Sequence, residues 1–304
     1  MDDESVYWQQ VRLLVRTLPF VARQPVFALK GGTAINLFLH DMPRLSVDID
    51  LAYLPIEDRP TSLQACKHAL SEIAEAMRST SPQHDVLEQL GREDELRLLV
   101  RDAGVQIKVE VSPVLRGAVF PSVPRDIHPF AADTFGFAHM LILSEPDLYG
   151  GKICAALDRQ HPRDLFDVML LLRSGGFSRA VMDAFLVYLI SHGRPMAELL
   201  RPRPKDLTEA FVNQFQGLTR EPVELGQLLQ ARIELQSEIA RQLTDTDKQF
   251  LLSVKRDQPD WALHPIAGID QLPAVQWKLQ NVRAMTPQKR LESIDRLEAV
   301  LNQL

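Results

Sequence analysis

Two rhythms of apolar and polar positions divide the chain. In the first half they are short and mixed. VFALK (26–30) is a brief apolar run that predicts a strand, and LSVDIDLAYL (45–54) alternates apolar with polar residues, the pattern of a half-buried strand. ELRLLVRDAGVQIKVEVSP (95–113) predicts two strands joined at Asp102-Ala103-Gly104, and FGFAHMLILS (135–144) predicts another. Helical spacing runs through 5–18, 33–40 and 62–77. From Glu145 onward helices dominate: 147–158, then 163–173 with Pro162 at its start, then 178–192, 206–216, 222–243, 245–255 and 286–303. Prolines at 195, 202, 204, 222, 259, 265, 273 and 287 punctuate them. The expectation is an α+β protein, with a mixed-sheet domain over 1–144 and a mostly helical domain over 145–304.

Composition narrows the class. With 304 residues, 45% of them hydrophobic and 24% charged, the chain has enough apolar material for one large or two ordinary globular domains. Its only cysteines, Cys66 and Cys154, lie far apart in no metal-binding spacing, which suits a reducing compartment. The acidic start MDDESVYWQQ does not read as a signal peptide, and no apolar run reaches the ~18 residues of a membrane span. A cytoplasmic protein without a membrane partner is expected. The net charge of −6 argues against a surface coated for nucleic acid but leaves room for a local basic patch. Two such patches stand out. One is 193–205, with Arg194, Arg201, Arg203 and Lys205 against Glu198 alone. The other is the tail, with Lys278, Arg283, Lys289 and Arg290 near Trp277. Each reads either as a solvated face or as a set of phosphate contacts.

The stretch LKGGTAINLFLHDMPRLSVDIDL (29–51) concentrates candidate chemistry. On a strand Asp48 and Asp50 project from one face, with Ile49 on the other. Two adjacent carboxylates call for a cation, and Mg²⁺ takes one or two carboxylates alongside phosphate oxygens and water. The plainer alternative is a wet strand face with ordinary ion pairs. At the other end, Gly31 and Gly32 can turn the chain tightly into a helix and offer backbone N–H groups to a phosphate, with the Thr33 hydroxyl beside them. Alternatively they make a turn and nothing more. Together the two ends could grip one triphosphate, the glycines cradling it and the aspartates holding its metal. Glu110, in IKVEVS (107–112), would be a third carboxylate if its strand lies beside 46–52, or it could pair with Lys108 or Arg101.

KGGTAINL followed by PRLSVDIDL resembles the first motif of the AbiEii/AbiGii-type toxins, within the polymerase-β-like nucleotidyltransferase superfamily. The likeness continues through IKVEVSPVLRG (107–117), EPDLYGGKICAALDRQHPRDLFDV (145–168) and PDWALHPIAGIDQLPAVQWKLQNV (259–282). It implies a metal-dependent enzyme, using Mg²⁺ or Mn²⁺, that moves a nucleotide from an NTP to an acceptor hydroxyl. It also implies the toxin role in a type IV toxin–antitoxin system linked to phage abortive infection, with a separately encoded antitoxin. A tRNA 3′ end is among the acceptors of similar proteins. By position, Gly31, Gly32 and Thr33 would meet phosphate, Asp48 and Asp50 the metal, and Lys152 the triphosphate. Asp164 would be the aspartate of the last motif, as base, nucleotide contact or helix cap, with Asp167 one turn on. The alternatives are a glycosyltransferase with an Asp-x-Asp metal site, which leaves Gly31, Gly32 and Lys152 unused, and a silent nucleotide- or RNA-binding regulator.

Overall fold

The computed structural model describes residues 5–80, 85–92 and 94–304. The chain divides into two compact units. The first runs up to Ser144 and takes back Gly217–Pro222; the second comprises Glu145–Gln216 and Val223–Leu304.

The first unit is built on a seven-stranded mixed sheet. Its elements, in order, are α1 (Val6–Val21), β1 (Phe27–Lys30), α2 (Gly31–Ala34, continued by a wide turn over Ile35–Leu39), β2 (Asp48–Tyr53), α3 (Arg59–Thr80), β3 (Asp85–Gln89), β4 (Arg97–Asp102), β5 (Val105–Val111), β6 (Val123–Asp126), α4 (Pro129–Phe135) and β7 (His139–Ile142). The sheet order is β3-β4-β5-β2-β1-β7-β6. β2 runs antiparallel to β1 and parallel to β5.

Period-two alternation decides the rest. Ile49 and Leu51 of β2, Val109 and Val111 of β5, and Leu98 and Val100 of β4 are all buried on one face. Helices α1 and α3 lie against that sheet with buried stripes of their own, including Leu14 and Leu18 of α1 and Leu70 and Ile73 of α3. The opposite face carries Asp48, Asp50, Lys108, Glu110 and Arg97.

Two strands and a helix absent from the alternation-based reading complete this unit. β3 is short and polar, and β6 holds Pro124 at the sheet edge, where a missing N–H is tolerated. The expected strand at 135–144 shortens to His139–Ile142 because α4 occupies the residues before Gly136, whose φ of 110° ends that helix.

The second unit is helical: α5 (Glu145–Asp158), α6 (Pro162–Arg173), α7 (Arg179–Ser191), α8 (Met196–Leu200), α9 (Thr208–Gln214), α10 (Leu225–Gln242), α11 (Asp245–Lys255), α12 (Pro273–Arg283) and α13 (Pro287–Leu301). α8 and α12 escape the sequence reading, the latter because Pro273 opens a helix rather than interrupting one.

The closest packing pairs α5 with α7. A Cβ on Gly150 would stand 2.8 Å from the Phe185 backbone nitrogen, whereas one on Gly151 would make ordinary contact with the Tyr188 ring at 3.8 Å. Gly150 is therefore a packing requirement. Gly150→Ala is expected to force the helices apart and destabilise the protein by about 1–3 kcal/mol. Gly151→Ala should be neutral or stabilising, because alanine favours helix by ~1 kcal/mol. Chemical denaturation of the two variants checks the contrast.

Candidate active site

β1 ends at Lys30, and the chain turns at once through Gly31, whose φ of +73° lies in the left-handed region that glycine adopts without strain. The turn brings the Gly31 backbone against β2. A Cβ there would sit 2.7 Å from Oδ2 of Asp50. Gly32 is equally tight, since its Cβ would meet the Arg44 guanidinium at 2.6 Å and the Ser46 hydroxyl at 2.9 Å. Gly31 thus brings backbone close to the strand that carries the two aspartates, and Gly32 close to the segment leading into it.

Thr33 is fully buried. Its hydroxyl donates to the Asp48 carbonyl at 2.5 Å and lies 3.1 Å from Ser46 Oγ. Its visible role is to tie α2 to β2. Asn36, in the wide turn that follows, donates from Nδ2 to the Gly32 carbonyl at 2.9 Å. Arg44, 2% exposed, donates to the Leu45 carbonyl at 2.9 Å and braces the same loop from inside.

Asp48 and Asp50 are both half-buried on one face of β2, with Ile49 wholly buried on the other. The parallel register with β5 sets Asp48 beside Lys108 and Asp50 beside Glu110. Continued across the sheet, the Asp50 row reads Lys30, Asp50, Glu110, Arg97 and Gln89 over five strands. Lys108 Nζ contacts Glu110 Oε2 at 2.7 Å, and Arg97 Nη2 donates to Glu110 Oε1 at 2.6 Å. Glu110 therefore does both things the sequence allowed. It joins the aspartate face and it is ion-paired, with Arg97 in place of the expected Arg101.

Burial works against the charge on Lys108, but the Glu110 hydrogen bond and the nearby charges of Asp48 and Asp50 outweigh it and raise its pKa. Burial likewise disfavours the Glu110 carboxylate, yet its bonds to Lys108 and Arg97 hold it below the usual range. Among the described residues no group of three or more His, Cys, Asp or Glu side chains is arranged to hold a metal ion. The carboxylates that could hold one are the Asp48–Asp50 pair, with Glu110, the third one expected, engaged by Lys108 and Arg97. That fits an ion which completes its shell with phosphate oxygens and water.

Lys152 and Asp164 belong to the helical unit, where they meet each other. Lys152 Nζ, on α5, lies 2.9 Å from Asp164 Oδ1 and 3.0 Å from Asp167 Oδ2, both on α6. The three side chains are at most 6% exposed. Arg159, in the turn between the helices, donates from Nη2 to Asp164 Oδ1 at 2.9 Å and from Nε to Oδ2. The sequence reading missed Arg159; its only signal was its place five residues before Asp164. Burial would push the Asp164 pKa up, but Lys152 and Arg159 overcome it and hold the carboxyl well below its ordinary range. Asp164 is a fixed anion, and the cap of α6 is His161, whose ring accepts from the Arg163 N–H.

The model of the AbiEii nucleotidyl transferase toxin family, type IV toxin–antitoxin system, matches residues 12–281. The chain belongs to the AbiEii family. The match spans residues from both units and carries nucleotidyl transfer as the chemistry, in place of the glycosyl-transfer alternative. No curated protein matches the sequence. Among solved structures, MenT4, a nucleotidyltransferase toxin from Mycobacterium tuberculosis H37Rv, is similar with a TM-score of 0.57 and 15% identity, over 98% of this chain and 95% of that one. At that identity the likeness supports the fold alone, an α+β architecture with a mixed sheet. As an AbiEii member the chain is a nucleotidyltransferase toxin of a type IV system, with an NTP as substrate and an antitoxin as counterpart. No helix among the described residues is long and apolar enough to cross a membrane.

Lys152→Met would leave Asp164 and Asp167 buried without the cation between them. A loss of about 3–5 kcal/mol is expected, read by denaturant unfolding. Adding Asp167→Asn to that variant should restore part of it. The depressed pKa of Asp164 also sets a sign. Its contribution to stability is complete above the ordinary value of 3.8 and is lost as pH falls through the lower folded value. The acid limb of a stability–pH curve should therefore flatten in Asp164→Asn.

Proposed function

We propose that the chain transfers a nucleoside monophosphate from an NTP to an acceptor hydroxyl at the face formed by Asp48 and Asp50. The observation that carries this reading is the approach of the Gly31 backbone to the Asp50 carboxylate, which sets a turn without side chains against a carboxylate pair. A triphosphate lying along Gly31 and Gly32 would present its oxygens to a divalent ion held by Asp48 and Asp50. Mg²⁺ is the ion of choice, or Mn²⁺ in its place. When bound, the ion neutralises charge on the triphosphate and on the departing pyrophosphate. The acceptor oxygen bonds to the α-phosphorus, the bond to the β-phosphate oxygen breaks, and the hydroxyl proton is released.

The chain's own residues supply positioning and charge. Glu110 stands next to Asp50 as the third carboxylate and orders Lys108 and Arg97 along the same face. Thr33 fixes the spacing between the glycine turn and β2 through the Asp48 carbonyl. Lys152, oriented by Asp164 and Asp167, is the residue whose charge suits the triphosphate, and family resemblance supports that role. Asp164 acts through Lys152 and Arg159, as a positioning residue. The acceptor in this reading is RNA, with the tRNA 3′ end as the first molecule to try. The setting is the cytoplasm, consistent with two buried free cysteines.

The test incubates the protein with total tRNA, Mg²⁺ and each labelled NTP in turn. Label should enter RNA with the wild type, and Asp48→Asn should lower the rate by at least about a hundredfold. Gly31→Ala should also lose activity while remaining folded. Its left-handed backbone costs ~1–2 kcal/mol in any residue with a Cβ, and that Cβ would displace Asp50. Equal transfer by Asp48→Asn and wild type would overturn the assignment of the site.

A further inference from the structure

The structure separates the two basic stretches that the sequence leaves alike. In the tail, Lys278 is buried and donates to the His192 and Arg194 carbonyls at 2.6 and 3.1 Å. Arg283 and Arg290 both pair with Asp257, at 3.0 and 3.6 Å. Those three cations hold helices together, and Lys289 is the one of the tail's four whose exposed side chain has no such bond among the described residues. In the other stretch Arg194 is similarly occupied by Asp158 and Glu198, at 2.8 and 3.1 Å. Arg201 and Arg203 differ. Both are exposed, and neither side chain has an ion pair or hydrogen bond among the described residues.

These arginines are fixed at the backbone. Gln160, 1% exposed and held at φ +52°, is the hub. Its Nε2 donates to the Arg203 carbonyl at 2.8 Å. Its Oε1 accepts from the Lys205 N–H at 3.1 Å and from Arg232 Nη1 at 3.2 Å. Arg232 donates again to the Lys205 carbonyl at 2.9 Å, and Lys205 Nζ reaches the Asp158 carbonyl at 3.0 Å. Pro202 and Pro204 stiffen the run between them by fixing φ and restricting the residue before each. The carboxylates on this side are spent locally. Asp158 pairs with Arg194, and Asp206 accepts from the Thr208 N–H and hydroxyl. The result is a basic ledge, Arg201, Arg203, Lys205 and Arg232, bonded through Gln160 to the α5–α6 turn that presents Arg159 to Asp164.

We infer that this ledge binds the phosphate backbone of the RNA acceptor. The inference rests on the proposed RNA-directed transfer and adds the surface that would hold the acceptor. Four cations on a hydrogen-bonded backbone, with the Lys205 and Arg232 side chains bonded as well and no large apolar anchor among them, suit a repeating polyanion better than the apolar core of a protein interface. Guanidinium groups match phosphate oxygens in pairs, and fixing the backbone that carries them lowers the entropy cost of binding.

The experiment measures binding of bulk tRNA to the full chain, without nucleotide, across a range of salt concentrations. Arg203→Gln/Lys205→Gln should bind about tenfold more weakly than wild type at fixed salt, with the slope of log affinity against log salt shallower by about 1–2. Arg283→Gln/Lys289→Gln in the tail should match wild type. Both pairs lie on the surface, and circular dichroism verifies their folding. Wild-type affinity and slope in the ledge variant would overturn the inference, as would loss in the tail variant instead. A ledge variant that keeps tRNA binding but loses polyglutamate binding would assign the surface to an acidic protein partner. A wild type that shows no salt-dependent tRNA binding would remove the RNA acceptor itself, which is a separate failure from that of the ledge.

Discussion

The parallel pairing of β2 with β5 is the constraint on which the face bearing Asp48 and Asp50 depends. A shift of one residue would send Asp48 and Asp50 into the apolar side and bring Ile49 out. The register is held from both faces. On one side Ile49 and Leu51 pack with Val109 and Val111 under the helices. On the other, Asp48 meets Lys108 and Asp50 meets Glu110, so unlike charges and a paired carboxylate occupy neighbouring positions. With Lys30 and Arg97 in the same row as Asp50 and Glu110, three cations stand among three carboxylates. That balance allows like charges to be crowded onto one sheet face in a stably folded unit.

The helical unit solves the same problem under deeper burial. Asp164 and Asp167 lie one helical turn apart and are both inaccessible, an arrangement that would be costly if left uncompensated. Lys152 lies between them and Arg159 closes the far side of Asp164. Arg159 has a half-exposed position in the turn, so the cluster has one cation at the surface and one inside. A lysine held in this way has its ammonium fixed between two carboxylates. Gly150 contributes from the other side of α5, by letting α7 pack against the helix that carries Lys152.

Much of this was legible in the sequence because it is periodic or chemically conspicuous. Alternation in VDIDL placed both aspartates on one face, and the Gly-Gly pair marked the turn. The same alternation in IKVEV placed Lys108 and Glu110 together. What escaped was set by tertiary register. Arg97 looks like any strand arginine until β4 pairs with β5 and brings it opposite Glu110. Thr33 looks like a phosphate ligand until burial turns its hydroxyl to a carbonyl. Gln160 carries no signal at all, because a glutamine in a turn is ordinary and its importance lies in the partners that two distant segments bring to it. The return of Gly217–Pro222 to the first unit, where Leu45 N–H meets the Leu218 carbonyl at 2.9 Å, has no periodicity to announce it.

The two basic stretches show why charge counted along a sequence is a poor guide to charge available at a surface. Both hold several cations and few anions, yet of the tail's four, Lys278, Arg283 and Arg290 are spent on Asp257 and on backbone carbonyls. The stretch at 201–205 keeps the Arg201 and Arg203 side chains outward because its backbone groups and Lys205, rather than those guanidiniums, meet the α5–α6 turn. A net charge of −6 repels polyanions in general, so any that bind must find a locally positive surface held in a fixed shape. On such a protein, selectivity for a phosphate backbone follows from how firmly the cations are positioned rather than from how many there are. Gln160, buried and left-handed, gives this stretch its fixed shape at the backbone, through the Arg203 carbonyl and the Lys205 N–H, and fixes the Arg232 guanidinium directly.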